Sequence, residues 1–216
     1  MKTAAALKHD VEQELSWEPS VNADKIGVSI NNGVVELDGH VDSFYQKWAA
    51  EQAALRACNV TAIASEIKVD LPFENERADE QIAAAASDHL EWNLQVPESV
   101  KVKVADGWLT LSGTVEWQFQ KAESERVVRS LRGVKAVINE IQLTPKVSAV
   151  GVKVKIEDAI KRDAQLSANS IKVETNGTKV TLRGRVHSWS ELQDAEHAAY
   201  DAPGVSSVSN LIEIGS

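Results

Sequence analysis

Asn32-Gly33-Val34-Val35-Glu36-Leu37-Asp38-Gly39-His40-Val41 reads as a turn, an alternating strand and a second glycine. The chain writes this pattern three times. The second copy is Asp106-Gly107-Trp108-Leu109-Thr110-Leu111-Ser112-Gly113-Thr114-Val115. The third runs Asn176-Gly177-Thr178-Lys179-Val180-Thr181-Leu182-Arg183-Gly184-Arg185-Val186, one residue longer between its glycines. Asn-Gly and Asp-Gly supply the positive φ of a tight hairpin turn. A glycine inside a strand pattern predicts a bulge or a close backbone approach, so Gly39, Gly113 and Gly184 are structural candidates.

Working outward, each hairpin is flanked by helical periodicity. Leu7, Val11 and Leu15 mark one face of a helix over 3–16; helices are also expected over 79–92 and 153–165. Ser43-Phe44-Tyr45-Gln46 and Ser188-Trp189-Ser190-Glu191 have capping-box spacing and open a second helix in their units, to about Ala57 and Asp201. The middle unit has its second helix over 118–131, and third strands are expected at Ile63–Val69, Val137–Leu143 and Val208–Ile214. Leu71-Pro72 and Thr144-Pro145 divide the chain into units at 1–73, 76–145 and 150–216. At about 70 residues each, such units are small enough that packing between them would help.

Aligning the units places Glu51, Glu125 and Glu196 in one column, Val60, Val134 and Val205 in another, and Ile67, Ile141 and Ile212 in a third. Gly133 and Gly204 follow the second helix, where a left-handed residue ends it; Asn59 takes that place in the first unit. The second helices are small on their inward side, with Ala50, Ala53 and Ala54, then Ser124, Val127 and Val128, then Ala195, Ala198 and Ala199.

The second-strand Gly-x-Val motifs are Gly113-Thr114-Val115 and Gly184-Arg185-Val186. The motifs before the third strand are Gly133-Val134-Lys135-Ala136-Val137 and Gly204-Val205-Ser206-Ser207-Val208. In a helix–strand–strand–helix–strand order they resemble the BON domain, the family of bacterial osmotically induced and nodulation proteins. The first unit departs at Asn59. The resemblance implies an α+β fold of three tandem αββαβ units, each a three-stranded mixed sheet with two helices on one face. It also implies non-enzymatic roles: binding phospholipid surfaces, transport-associated or osmotic and envelope stress functions, or tethering partner proteins. One type of relative pairs the domain with a LysM module and binds potassium; no LysM-like segment stands out here.

The formal charge of −9 is uneven: 6 basic against 13 acidic residues in 1–76, 8 against 10 in 77–145, and 9 against 9 in 146–216. That balance argues against nucleic acid as a partner, which needs a positive surface. No apolar run has the length of a transmembrane span, and the start of the chain lacks a signal-peptide core. With Cys58 as the single cysteine, the cytoplasm is the expected location, and the periplasm only for a chain trimmed at its start.

Catalytic and cofactor chemistry is not expected. No phosphate loop, nucleophile elbow or Gly-x-x-Gly clamp occurs. His9, His40, His89, His187 and His197 lack metal-ligand spacing, and Cys58 is read as a small packed residue. The repeated glutamate column is read as structural.

Candidate binding residues fall in two groups. Phe44, Tyr45, Trp48, Trp117, Phe119 and Trp189 cluster at the starts of second helices, where they would project as a lipid or protein contact or pack between units. Trp17 and Trp92 end the first helices and are read as core. Lys172, Lys179, Arg183 and Arg185 lie on one face of the third hairpin, an anionic-surface candidate or a solvated face balanced by Glu174. The leading expectation is a binding module for phospholipid or another anionic ligand, and the alternative is a protein-interaction or oligomerisation scaffold. Oligomeric state is not readable from the sequence.

Overall fold

The structure, a computed structural model, describes residues 3–31, 34–144, 151–162 and 171–215. Gly33 and its turn partner Asn32 lie outside them, as does the 145–150 boundary. The fold is α+β, with six α-helices and several mixed sheets among the described residues. The first repeat contributes α1 (Ala4–Trp17), β1 (Ile26–Asn31), β2 (Val34–Val41), α2 (Phe44–Arg56), β3 (Ala62–Ser65) and β4 (Lys68–Val69). The second contributes α3 (Asp79–Trp92), β5 (Lys101–Ala105), β6 (Trp108–Ser112), β7 (Thr114–Val115), α4 (Gln118–Arg129), β8 (Ala136–Asn139) and β9 (Gln142–Leu143). The third contributes α5 (Val152–Arg162), β10 (Ile171–Asn176), β11 (Lys179–Val186), α6 (Trp189–Tyr200) and β12 (Ser207–Ile214). The first two repeats thus carry more strands than a plain αββαβ order, because β3/β4 and β8/β9 each divide one expected strand, and Gly113 separates β6 from β7.

Register is the same throughout. β1–β2, β5–β6 and β10–β11 are antiparallel hairpins, and the strand after the second helix returns parallel to the middle one. Leu37 pairs Ser65, Leu111 pairs Asn139 and Leu182 pairs Asn210, the same 28-residue step each time. The pairs Ala105–Trp108 and Asn176–Lys179 leave Asp106-Gly107 and Gly177-Thr178 as two-residue loops. Asp106 (φ 54°) and Gly107 (φ 80°) are both left-handed, whereas only Gly177 (φ 61°) is left-handed in the third loop, where glycine comes first. The apparent extra residue in the third copy is therefore a shift of the turn dipeptide; the strand from loop to second glycine keeps its length, and the register runs through Gly39 and Gly184 without a bulge. The Asp79 carboxylate accepts hydrogen bonds from Asp106 N (2.7 Å) and Gly107 N (2.9 Å), tying the start of α3 to the second turn.

The cores form as the patterns require. Leu7, Val11 and Leu15 of α1 are buried, as are Ile82, Ala86 and Leu90 of α3. Leu109 and Leu111 point into the same core as Ile82, Val128, Val134 and Ile141; Val180 and Leu182 do so with Ile156, Ala195, Ala199 and Ile212. The aligned valine and isoleucine columns are buried in all three repeats. Asn59 (φ 71°), Gly133 (φ 89°) and Gly204 (φ 94°) adopt the left-handed conformation expected of a helix stop.

Two readings are corrected. Trp17 and Trp92 are not core but 79% and 87% exposed. Each follows the last buried leucine of its helix by two positions, a rotation of about 200°, which turns it to the opposite side. Cys58 is exposed instead of packed, lying just past the buried Ala57 as the chain leaves α2.

By contacts the chain divides into two compact bodies. One comprises Met1–Gly39, Ala49–Glu66 and Pro145–Ser216; the other comprises His40–Trp48 and Ile67–Thr144. The start of α2 therefore belongs with the second repeat.

Candidate binding surfaces

The capping spacing works locally. Ser43 Oγ accepts from Gln46 N (3.3 Å) and Ser188 Oγ from Glu191 N (3.2 Å). The return bonds reach one residue earlier than in a standard box, from Asp42 N to Gln46 and from His187 N to Glu191. These caps set where the helix-start aromatics emerge. Phe44 is half-buried and packs on the second repeat's core. Trp48 stacks under Arg129, whose guanidinium lies 3.8 Å from the ring centroid, and Tyr45 sits 5.9 Å from Trp48 by centroids. Tyr45, Trp48, Phe119, Arg126 and Arg129 line one open groove in that body. Tyr45 and Phe119 are exposed, while Trp117 and Trp189 are half-buried.

The glutamate column connects second helix to third strand. Asn139 Nδ2 donates to Glu125 (3.2 Å) and to Lys121 O (3.0 Å), while its Oδ1 accepts from Ile141 N (3.3 Å). Asn210 repeats this with Glu196 (3.2 Å) and Ile212 N (3.2 Å). The asparagine partners went unnoticed in the sequence because Ser65 occupies their column in the first repeat.

Two surface carboxylates are shifted downward. Hydrogen bonds from Arg126 hold Glu123 below the usual glutamate range, with Asn93 adding to the effect and partial burial opposing it. Glu18 is lowered chiefly by its bond from the Ser20 hydroxyl. A depressed folded-state pKa adds stability that is present above the ordinary glutamate value and is lost as pH falls through the lowered one. Glu123→Gln should therefore cost stability near neutral pH and little in acid, which thermal unfolding against pH would register. Equal losses at both ends would mean that packing, not charge, is what Glu123 supplies.

Each repeat turns alternate strand residues to solvent, and these outer faces differ in charge. In the third repeat Lys172, Lys179, Arg183 and Arg185 are all exposed, but Lys172 and Arg183 both lie near Glu174 (3.5 and 3.6 Å). Arg185 pairs with Glu213 of β12 at 3.1 Å. In the first repeat the face carries Glu36, Asp38 and Glu66. In the second it carries Lys101, Lys103, Trp108 and Ile138, and these four escaped the sequence reading. Their signal was the alternation of Lys101, Lys103 and Ala105 with buried or half-buried valines, facing Trp108.

Among the described residues no helix is long and apolar enough to cross a membrane, and no group of three or more ligating side chains could hold a metal.

The BON domain sequence model matches residues 3–70, 78–145 and 149–216. Osmotically-inducible protein Y of Escherichia coli (strain K12) is 27% identical over 143 residues, spanning 64% of this chain and 71% of that protein. CdsD, a structural protein of the type III secretion system of Chlamydia trachomatis, is a 16% identical solved structure with a TM-score of 0.26, covering 96% of this chain and 91% of its own. The PrgH periplasmic domain is 11% identical at a TM-score of 0.23, covering 89% of this chain and 96% of its own. Structural overlap that low says nothing of this chain's role.

Proposed function

The chain belongs to the BON domain family, and from that premise we propose a non-enzymatic, osmotic-stress-related module that binds an anionic phospholipid surface. The stress context is supported by its similarity to a protein named as osmotically inducible. The observation that carries the binding reading is the open sheet face. Helices and inward strand residues share one core in the second and third repeats, while the opposite face presents cations: Lys101 and Lys103 in one, Lys172, Lys179, Arg183 and Arg185 in the other. Basic side chains near an anionic leaflet contribute roughly 1 kcal/mol each, enough for several to hold a protein of overall charge −9 locally to a surface. The three repeats, near 1–73, 76–145 and 150–216, would act as separate domains. The lone Cys58 suits a reducing compartment, and a cytoplasmic leaflet is the proposed site of action.

Vesicle flotation tests this reading. The protein should float at low salt with an equimolar phosphatidylcholine–phosphatidylglycerol mixture and not with phosphatidylcholine alone. Raising salt should release it, because exposed charges are screened beyond about 10 Å at 0.1 M. No flotation with the anionic vesicles at low salt would overturn the reading.

A further inference from the structure

We propose that the outer sheet face of the second repeat is the surface that lies on the bilayer. Trp108 and Ile138 would enter the headgroup region, and Lys101 and Lys103 would meet lipid phosphates. This rests on the phospholipid reading above.

The register lays that face out as a grid. Ala105, Trp108 and Ala136 form one row across β5, β6 and β8; Lys103, Thr110 and Ile138 form the next; Lys101 and Ser112 begin the third. Trp108 is 52% exposed and Ile138 40% exposed. The cross-strand neighbours of Trp108 are two alanines, Ala105 and Ala136, and about half of the residue meets solvent. The two lysines stand together along β5; Lys103 is level with Ile138 across Thr110 and diagonal to Trp108. An amphipathic indole beside long basic side chains is the composition that settles at a membrane–water boundary.

The fold does not demand these residues. At the position of Trp108 the other repeats have Val34 and Lys179; at that of Ile138 they have Ala64 and Ser209. At the positions of Lys101 and Lys103 they have Gly27 with Ser29, and Lys172 with Glu174.

Charge separates this face from its counterparts. Lys101 donates to the Glu98 carbonyl oxygen (3.1 Å), and neither it nor Lys103 is in an ion pair with a described residue. The exposed carboxylates that border the face are Asp106, in the loop joining β5 to β6, and Glu140, one residue past β8 at the position Glu66 holds in the first repeat. The third repeat's cations, by contrast, already lie against Glu174 and Glu213, and the first repeat's face is acidic. An anionic bilayer would thus gain more from the two unpaired lysines with an adjacent indole than from cations that must first leave their carboxylates.

The experiment compares the full chain with K101E/K103E, W108S and R183E/R185E, using the same two vesicle compositions. All the changed side chains are solvent-exposed, so circular dichroism and the thermal midpoint should be retained. K101E/K103E should weaken flotation with the anionic vesicles by well over tenfold, and more than R183E/R185E does. W108S should weaken it by a similar factor at each salt concentration at which the wild type still floats, because its contribution is apolar burial. Suppose the wild type floats, K101E/K103E floats equally well, and only R183E/R185E fails. The second-repeat assignment then falls while the phospholipid reading stands. A wild type that never floats removes both. A concentration-dependent dimer that W108S dissolves, with flotation unaffected, would assign the face to a second copy and also overturn the inference.

Discussion

Gly113→Val is expected to unfold the second repeat or bring it to the edge of unfolding. Gly113 has φ 122°, and a Cβ built there would stand 2.2 Å from the Ser99 carbonyl oxygen, a backbone atom that cannot swing away. Strain at such a φ costs about 1–3 kcal/mol. Forcing atoms into occupied space adds about 1–3 kcal/mol more. A unit of about 70 residues sits near the low end of the usual range of about 5–15 kcal/mol, and there the upper end of that sum removes much of the folded population. Gly39, at the same step of the first repeat, meets the Lys25 carbonyl oxygen at 2.1 Å, so the constraint belongs to the repeat. The adjacent, exposed Ser112→Val is the control and should shift the thermal midpoint little. Equal midpoints for Gly113→Val and Ser112→Val would show that the glycine is merely tolerated.

Leu111→Ala should be nearly as damaging, by a different route. Leu111 is completely buried on the middle strand, in one core with Ile82, Leu109, Val128, Val134 and Ile141. Removing its branched end loses the transfer energy and leaves a cavity between α3, α4 and the sheet, together about 2–5 kcal/mol. The sheet backbone and the outer face remain in place. Residual folded protein should therefore still bind vesicles, which separates a stability defect from a binding defect. Chemical denaturation should show a lower midpoint; an unchanged midpoint would mean that this side chain is not the centre of the core.

Most of the fold was legible because local signals agreed with one another. The turn dipeptides, the strand glycines, the left-handed stops and the buried valine and isoleucine columns each stated the same repeat. Trp17 and Trp92 were misread although periodicity contained the answer: two positions past Leu15 or Leu90 is the far side of the helix. The third turn was blurred by its Asn-Gly dipeptide, since only the strand pairing reveals that Gly177-Thr178, and not Asn176-Gly177, is the loop.

The binding surfaces were less legible for a reason of register. A strand shows which residues alternate but not which carboxylate on the next strand will oppose them. Glu213 reaches Arg185 only because β12 runs parallel to β11 in the register that pairs Arg185 with Glu213. The helix-start aromatics carry the stronger sequence signal, yet Phe44 and Trp48 are occupied by packing and by Arg129, while Trp108, beside a turn, stands on the open face.

Whether the second repeat's open face meets lipid is measured directly by depth-sensitive quenching. Anionic vesicles containing phosphatidylcholine brominated on its acyl chains should quench part of the tryptophan emission of the wild type. Trp108→Phe, which keeps an aromatic ring at the surface, should lose that quenched component and retain the rest. Equal quenching of the two proteins, or none in either, would contradict the account.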